Sequence, residues 1–143
     1  MARLSDFRVN ARTLRDGDWV DLGEDWDGLR LKVRGQSRTY FDARARAMQR
    51  AAKEHGGDEA RIPEAVVDRI NAECLGEHVL LDVAGLEDAG QAVTVDRLRT
   101  LLTDPDAAPL VSAVMVAVDR LARRARAEAR EAEGFSAPPS AGG

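Results

Sequence analysis

Six aromatic residues, one cysteine, two histidines and two lysines in 143 residues leave little material for most protein chemistries. A single cysteine, Cys74, cannot form an intrachain disulfide, and its apolar neighbours at helical spacing mark a small core residue rather than a nucleophile. His55 and His78, even with Cys74, cannot fill a metal site of usual ligand count without carboxylates. His55 precedes Gly56-Gly57 and reads as a solvated residue at a helix C-terminus, where the dipole favours it; His78 reads as a partly buried structural histidine. The chain has no GxGxxG, Walker loop, CxxC pair or HExxH, the spacings that dinucleotide, phosphate, redox and zinc chemistry demand. No catalytic residue, cofactor site or metal ligand is assigned, and no enzymatic activity is expected. Nor is there an apolar run of signal-peptide length or of the ~20 residues a membrane span needs. The expected location is the cytoplasm, with no membrane partner.

Charge of one sign is also missing. The net charge is −4 with acids and bases interspersed, so no global field draws the chain to nucleic acid. Arg120, Arg123, Arg124, Arg126 and Arg130 alternate with Asp119, Glu128, Glu131 and Glu133, without aromatic residues for base stacking. That pattern describes a salt-laced exposed helix. The acidic group Asp16, Asp18, Asp21, Glu24, Asp25 and Asp27 lacks the alternating oxygen ligands and closing glutamate of a calcium loop, and reads as a solvated hairpin. The preference for arginine and alanine over lysine reads first as the coding bias of a GC-rich genome.

What remains is 44% hydrophobic and 32% charged, an ordinary balance for a soluble, mostly helical domain of one-domain length. With aromatics at 4%, its core must be built from Ala, Val and Leu. The organising stretch is 62–86, IPEAVVDRINAECLGEHVLLDVAGL. Pro63 and Glu64 start a helix, and Ile62, Val66, Ile70, Cys74 and Leu81 recur at helical spacing. A helix over 63–82 is expected, closed by a small acidic, glycine-containing loop.

Before it, residues 1–15 alternate weakly, as a short strand or ordered arm. Asp18-Trp19-Val20-Asp21-Leu22 and Leu29-Arg30-Leu31-Lys32-Val33-Arg34 flank a turn-rich acidic loop, predicting a β-hairpin over 17–34. Ser37 or Thr39 is positioned to cap a helix over 40–55, with Phe41, Ala45, Met48 and Ala52 on its apolar side and Gly56-Gly57 at its end. Asp96 is expected to cap a short helix over 96–103, stopped at Asp104-Pro105. The last helix, 109–133, carries Leu110, Val114, Ala117, Leu121 and Ala125 at the spacing of a coiled-coil seam. Residues 134–143 are expected to be flexible. The expectation is thus a mainly α domain over 1–133, about four helices with an N-terminal β-hairpin. Its contact residues would be Trp19 and Trp26 near the hairpin tip, Leu110, Val114 and Leu121 on the seam, and Arg124 beside it.

Taken in order, several of these features carry a resemblance: the hairpin with Gly17-Asp18-Trp19-Val20-Asp21, the Arg-rich helix after Tyr40, the VLLDVAGLEDAG motif, DRLRTLLTDP, and a closing helix ending Glu131-Ala132-Glu133-Gly134. Over residues 15–134 the chain resembles the tail assembly chaperones of long-tailed bacteriophages and related tail-like particles. It departs from their pattern at Val83, where relatives carry an aromatic, and at Phe135, where they carry asparagine. The resemblance implies a small, mainly helical protein present in the host cytoplasm during virion assembly and absent from the mature particle. It implies binding to the tape measure protein, which it keeps soluble while tail tube protein polymerises around it, and a longer form made by ribosomal frameshifting. The seam also suits self-association. Two other readings stand beside this one: a structural protein retained in the tail or at the head–tail junction, and a small nucleic-acid-binding regulator.

Overall fold

The computed structural model describes residues 1–136. At its centre Asp18–Asp21 (β1), Arg30–Val33 (β2) and Leu80–Ala84 (β3) form an antiparallel sheet in the order β1-β2-β3. In the β1–β2 hairpin Val20 lies opposite Leu31 and Trp19 opposite Lys32. Opposed residues share a face, so Val20, Leu31 and Val33 turn into the core together. Trp19, Asp21, Arg30 and Lys32 occupy the other face. A 3-10 turn at Glu24–Trp26 closes the loop, and Asp27 then takes a left-handed conformation, which Asp tolerates better than most residues.

Among the described residues there are five helices: Ala11–Asp16 (α1), Arg38–Glu54 (α2), Glu64–His78 (α3), Val95–Leu102 (α4) and Ala108–Ser136 (α5); α3, α4 and α5 pack on the sheet, α2 on α3 and α1 on α5. Their starts follow side-chain chemistry. Asn10 accepts from the Arg12 N–H, Ser37 from Tyr40 and Thr94 from Arg97, each oxygen satisfying a donor that a first turn leaves orphaned. Ser37 rather than Thr39 therefore caps α2, and Thr94 rather than Asp96 caps α4. Gly56 and Gly57 have positive φ, and the Gly57 N–H bonds the Ala52 carbonyl at 2.7 Å to close α2. α5, 29 residues and so about 44 Å long at 1.5 Å per residue, packs on β1 and β2. Among the described residues the core is largely Ala, Val, Leu and Ile, joined by Tyr40, Met48 and Cys74, and no charged side chain is buried.

The main correction concerns residues 79–84. The sequence predicts helix to residue 82 and a loop beyond it, but α3 stops at His78 and the chain becomes β3. Two sequence-distant arginines explain the break. Arg34 donates from Nε to the His78 carbonyl (2.7 Å) and from its backbone N–H to Val79 (3.0 Å). Arg99 donates from Nε to the Gly76 carbonyl (2.8 Å) and from Nη2 to Leu80 (3.2 Å). Carbonyls at a helix end need partners from somewhere; here guanidinium and backbone donors supply them, and no further turn is required. β3 in return completes a sheet that two strands alone would hold only marginally, with Val83 opposite Leu31 and Asp82 opposite Lys32.

About four helices with a single N-terminal hairpin is therefore not the architecture. The described residues form five helices, the three-stranded sheet and a second, two-stranded sheet of Glu87–Asp88 (β4) and Gln91–Ala92 (β5). The latter turns on Ala89 and Gly90, both with positive φ, the geometry of a two-residue hairpin loop, where only a closing loop was expected. Residues 1–15 form no strand; a 3-10 turn at Leu4–Phe7 and then α1 take their place. In α2 the buried side is centred on Tyr40, Met48, Ala51 and Ala52, which leaves Phe41 and Ala45 exposed. α5 continues to Ser136, three residues past its expected end, and 137–143 of the expected flexible tail lie outside the described residues.

Candidate interaction surfaces

The seam on α5 faces inward. Val114, Ala117, Leu121 and Ala125 are fully buried because their 3-4 spacing puts them on one side of the helix, and that side lies on the sheet. Leu110, in the first turn, is half-buried. Two of the expected contact residues, Val114 and Leu121, thus hold the fold together and offer a partner no surface. Heptad-like spacing specifies an apolar stripe, and a helix backing a sheet needs the same stripe as a helix gripping another helix.

Arg124 has an internal role as well. Its Nη1 donates to Asp18 Oδ2 and to the Trp19 carbonyl, both at 3.1 Å, while Arg120 Nη1 donates to the Asp21 carbonyl at 3.1 Å. Residues 19 and 21 alternate with Val20 along an edge strand, so their carbonyls point away from β2. The Trp19 N–H is taken by its neighbour Asp18 Oδ1. The free edge of β1 is thereby occupied, which blocks pairing with a foreign strand. Trp26 is half-buried against the core, and Trp19 is 37% exposed on the sheet's outer face. The structure brings Trp19 and Arg124 together; it does not join either to Leu110.

Other chemistry-bearing groups stay apart. Among the described residues no three His, Cys, Asp or Glu side chains converge to hold a metal. Burial, reinforced by the carboxylates of Glu77 and Glu73, pushes the Cys74 thiol above its ordinary pKa, so it is protonated and inert at neutral pH. His78 Nε2 lies 3.7 Å from Glu77 on the half-buried end of α3. No single helix among the described residues is long and apolar enough to cross a membrane.

The apolar surface that the sequence did not single out lies at the amino terminus. Leu4 and Phe7 are 71% and 72% exposed, and Val9 is also exposed, while the chain from Arg8 to Thr13 is fastened to α5. The Asn10 N–H bonds the Ala125 carbonyl (2.8 Å), Thr13 Oγ1 bonds Glu128 Oε1 (2.8 Å), and Arg8 pairs with Glu133 (3.5 Å). These attachments, to Ala125, Glu128 and Glu133 of α5, hold the end of an arm whose apolar side chains face water. A cleft of about 460 Å³ between the arm and α5 is lined by Val9, Asn10, Ala129 and Ala132. The weak alternation of Leu4, Phe7 and Val9 was the available signal. It could not show that the arm would be docked with these residues outward. Phe41 and Met115 are likewise exposed, Phe41 set edge-on to Tyr40 at 5.1 Å.

What the fold defines is a small α+β domain in which one long helix backs a three-stranded sheet and carries an apolar amino-terminal arm. The chain matches no protein-family model, no curated protein and no solved structure.

Proposed function

We propose that this protein is a tail assembly chaperone: it binds the tape measure protein of a long-tailed bacteriophage, keeps it soluble, and promotes tail tube assembly around it. The order of sequence features over 15–134 supports the reading. The observation that carries it furthest is the fastened arm with Leu4, Phe7 and Val9 outward. Exposed apolar side chains held on a folded domain offer a place for another polypeptide to sit, and the bonds made by Arg8, Asn10 and Thr13 lower the ordering cost of using them. In this reading the protein grips rather than catalyses, acts in the host cytoplasm during virion assembly, associates with itself in doing so, and leaves before the particle is mature.

Co-expression tests it. The tape measure protein is expected to be soluble with this chain and to precipitate without it; equal solubility in both cases sinks the proposal. Mass spectrometry of purified particles separates it from the retained structural protein, since stoichiometric presence in finished tails favours the latter.

A further inference from the structure

α3 and α5 do not pack extensively on each other; α4 stands between them and contacts both. Over their first halves this leaves an open groove of about 760 Å³, walled by Ala65 and Val66 on α3 and Ala108 and Val111 on α5, with Leu102 at its floor. Ala65, Val66, Ala108 and Val111 thus bring small apolar side chains from two helices together over the buried Leu102, a surface on which one further helix can pack. The rim is acidic. Asp68 and Asp104 line it, and neither forms a salt bridge among the described residues; the Asp104 carboxylate accepts the Asp106 N–H. Arg69, the one cation on the lining among the described residues, is already paired with Glu73 at 3.0 Å.

We infer that this groove receives the apolar side of an amphipathic helix from a partner protein, with lysine or arginine on the flanks of that helix facing Asp68 and Asp104. The inference rests on the reading that this protein grips another polypeptide, and it adds a second gripping site to the amino-terminal arm. Apolar anchors at i, i+3 and i+7 supply affinity in such a groove. The carboxylates set the preference for charge, since a like-charged flank at the rim is penalised.

The test uses the full chain and two synthetic helical peptides of about 20 residues, both with leucine at i, i+3, i+4 and i+7. One carries lysine at the remaining positions, the other glutamate. The lysine peptide is expected to shift the backbone amide NMR signals of Val66, Leu102 and Val111, and the glutamate peptide to leave them in place. Asp68→Lys is expected to weaken the lysine peptide about three- to fivefold, the scale of one exposed charge pair. Ser112→Tyr, an exposed position on the groove wall, is expected to abolish the shifts by filling the space, with circular dichroism unchanged. The inference is overturned if those amides stay still, if both peptides bind equally, or if neither variant matters. It is also overturned if sedimentation shows a dimer that Ser112→Tyr disperses, because the occupant is then a second copy. If the peptide binds here while the tape measure protein gains no solubility, the groove stands and the chaperone reading falls; the opposite result removes the groove alone.

Discussion

Arg99 does the work of several residues. It holds the Gly76 and Leu80 carbonyls and pairs with Asp96 at 2.8 Å, so it joins α4 to both sides of the helix-to-strand switch. Hydrogen bonds from a charged donor to part-buried carbonyls contribute about 1.5–3 kcal/mol each way they are broken. Arg99→Ala is expected to lower unfolding stability by about that amount in a urea titration. Arg99→Lys is expected to recover only part of it, because an ammonium cannot reach two carbonyls with a rigid fork. Gly17 is constrained differently. It sits at φ +78, and a Cβ there would meet the Val33 carbonyl at 2.5 Å. Gly17→Ala must displace backbone and is expected to cost about 1–3 kcal/mol, read as a fall in the urea midpoint.

Cys74 links the residue scale to pH. Its thiol pKa is raised in the folded protein by burial first and then by Glu77 and Glu73, from an ordinary 9.0. The folded state then holds its proton where the unfolded chain has begun to lose it. The stabilising term is complete below pH 9 and disappears as pH rises beyond that. Tyr40, raised by burial from 10.0, acts in the same direction at higher pH. Stability is therefore expected to decline from about pH 9 upward, and Cys74→Ala to flatten the first part of that decline in denaturation curves taken at successive pH values. A slope unchanged by the substitution would assign the decline to other groups.

Among the elements, β1 shows how an exposed strand edge is managed. Arg120 and Arg124 cover its outward carbonyls from α5, while the opposite edge gives its Leu80 carbonyl to Arg99. Because Arg124 is 39% exposed, its bonds add little to stability, on the order of 0–1 kcal/mol. Their larger effect is on what the edge can pair with. The double variant Arg120→Ala, Arg124→Ala is expected to melt within a few degrees of the parent but to aggregate faster, followed by light scattering at constant temperature. Loss of more than ~3 kcal/mol without aggregation would mean that these arginines brace the sheet instead.

For the whole molecule, the division between core and offered surface is sharp. Leu121 is fully buried between α5 and the sheet, and Leu121→Ala is expected to cost about 2–5 kcal/mol. Leu4 and Phe7 are exposed on the arm, so Leu4→Ser with Phe7→Ser is expected to change the melting temperature by little. In the co-expression assay the same pair is expected to reduce the solubility of the tape measure protein. A variant that melts normally and chaperones normally would take the arm out of the proposed function.

Local chemistry was enough to predict much of the outline. The strict alternation of Leu29, Leu31 and Val33 implied a half-buried strand. Gly56-Gly57 implied a helix stop, and a chain poor in aromatics had to build its core from Ala, Val and Leu. Each of these depends on residues a few positions apart, which is where dihedral preference and side-chain periodicity act. Tertiary structure alone decided the rest. VLLDV is apolar enough for either a helix end or a strand, and Arg34 and Arg99, 45 positions or fewer from the carbonyls they cap, made it a strand. The stripe on α5 named an apolar side without naming its occupant. Phe41 and Tyr40 are adjacent, and only packing against α3 chose which to bury. Whether an apolar residue ends inside the fold or on a surface awaiting a partner depends on what else is close in space, and no window of neighbouring residues carries that information.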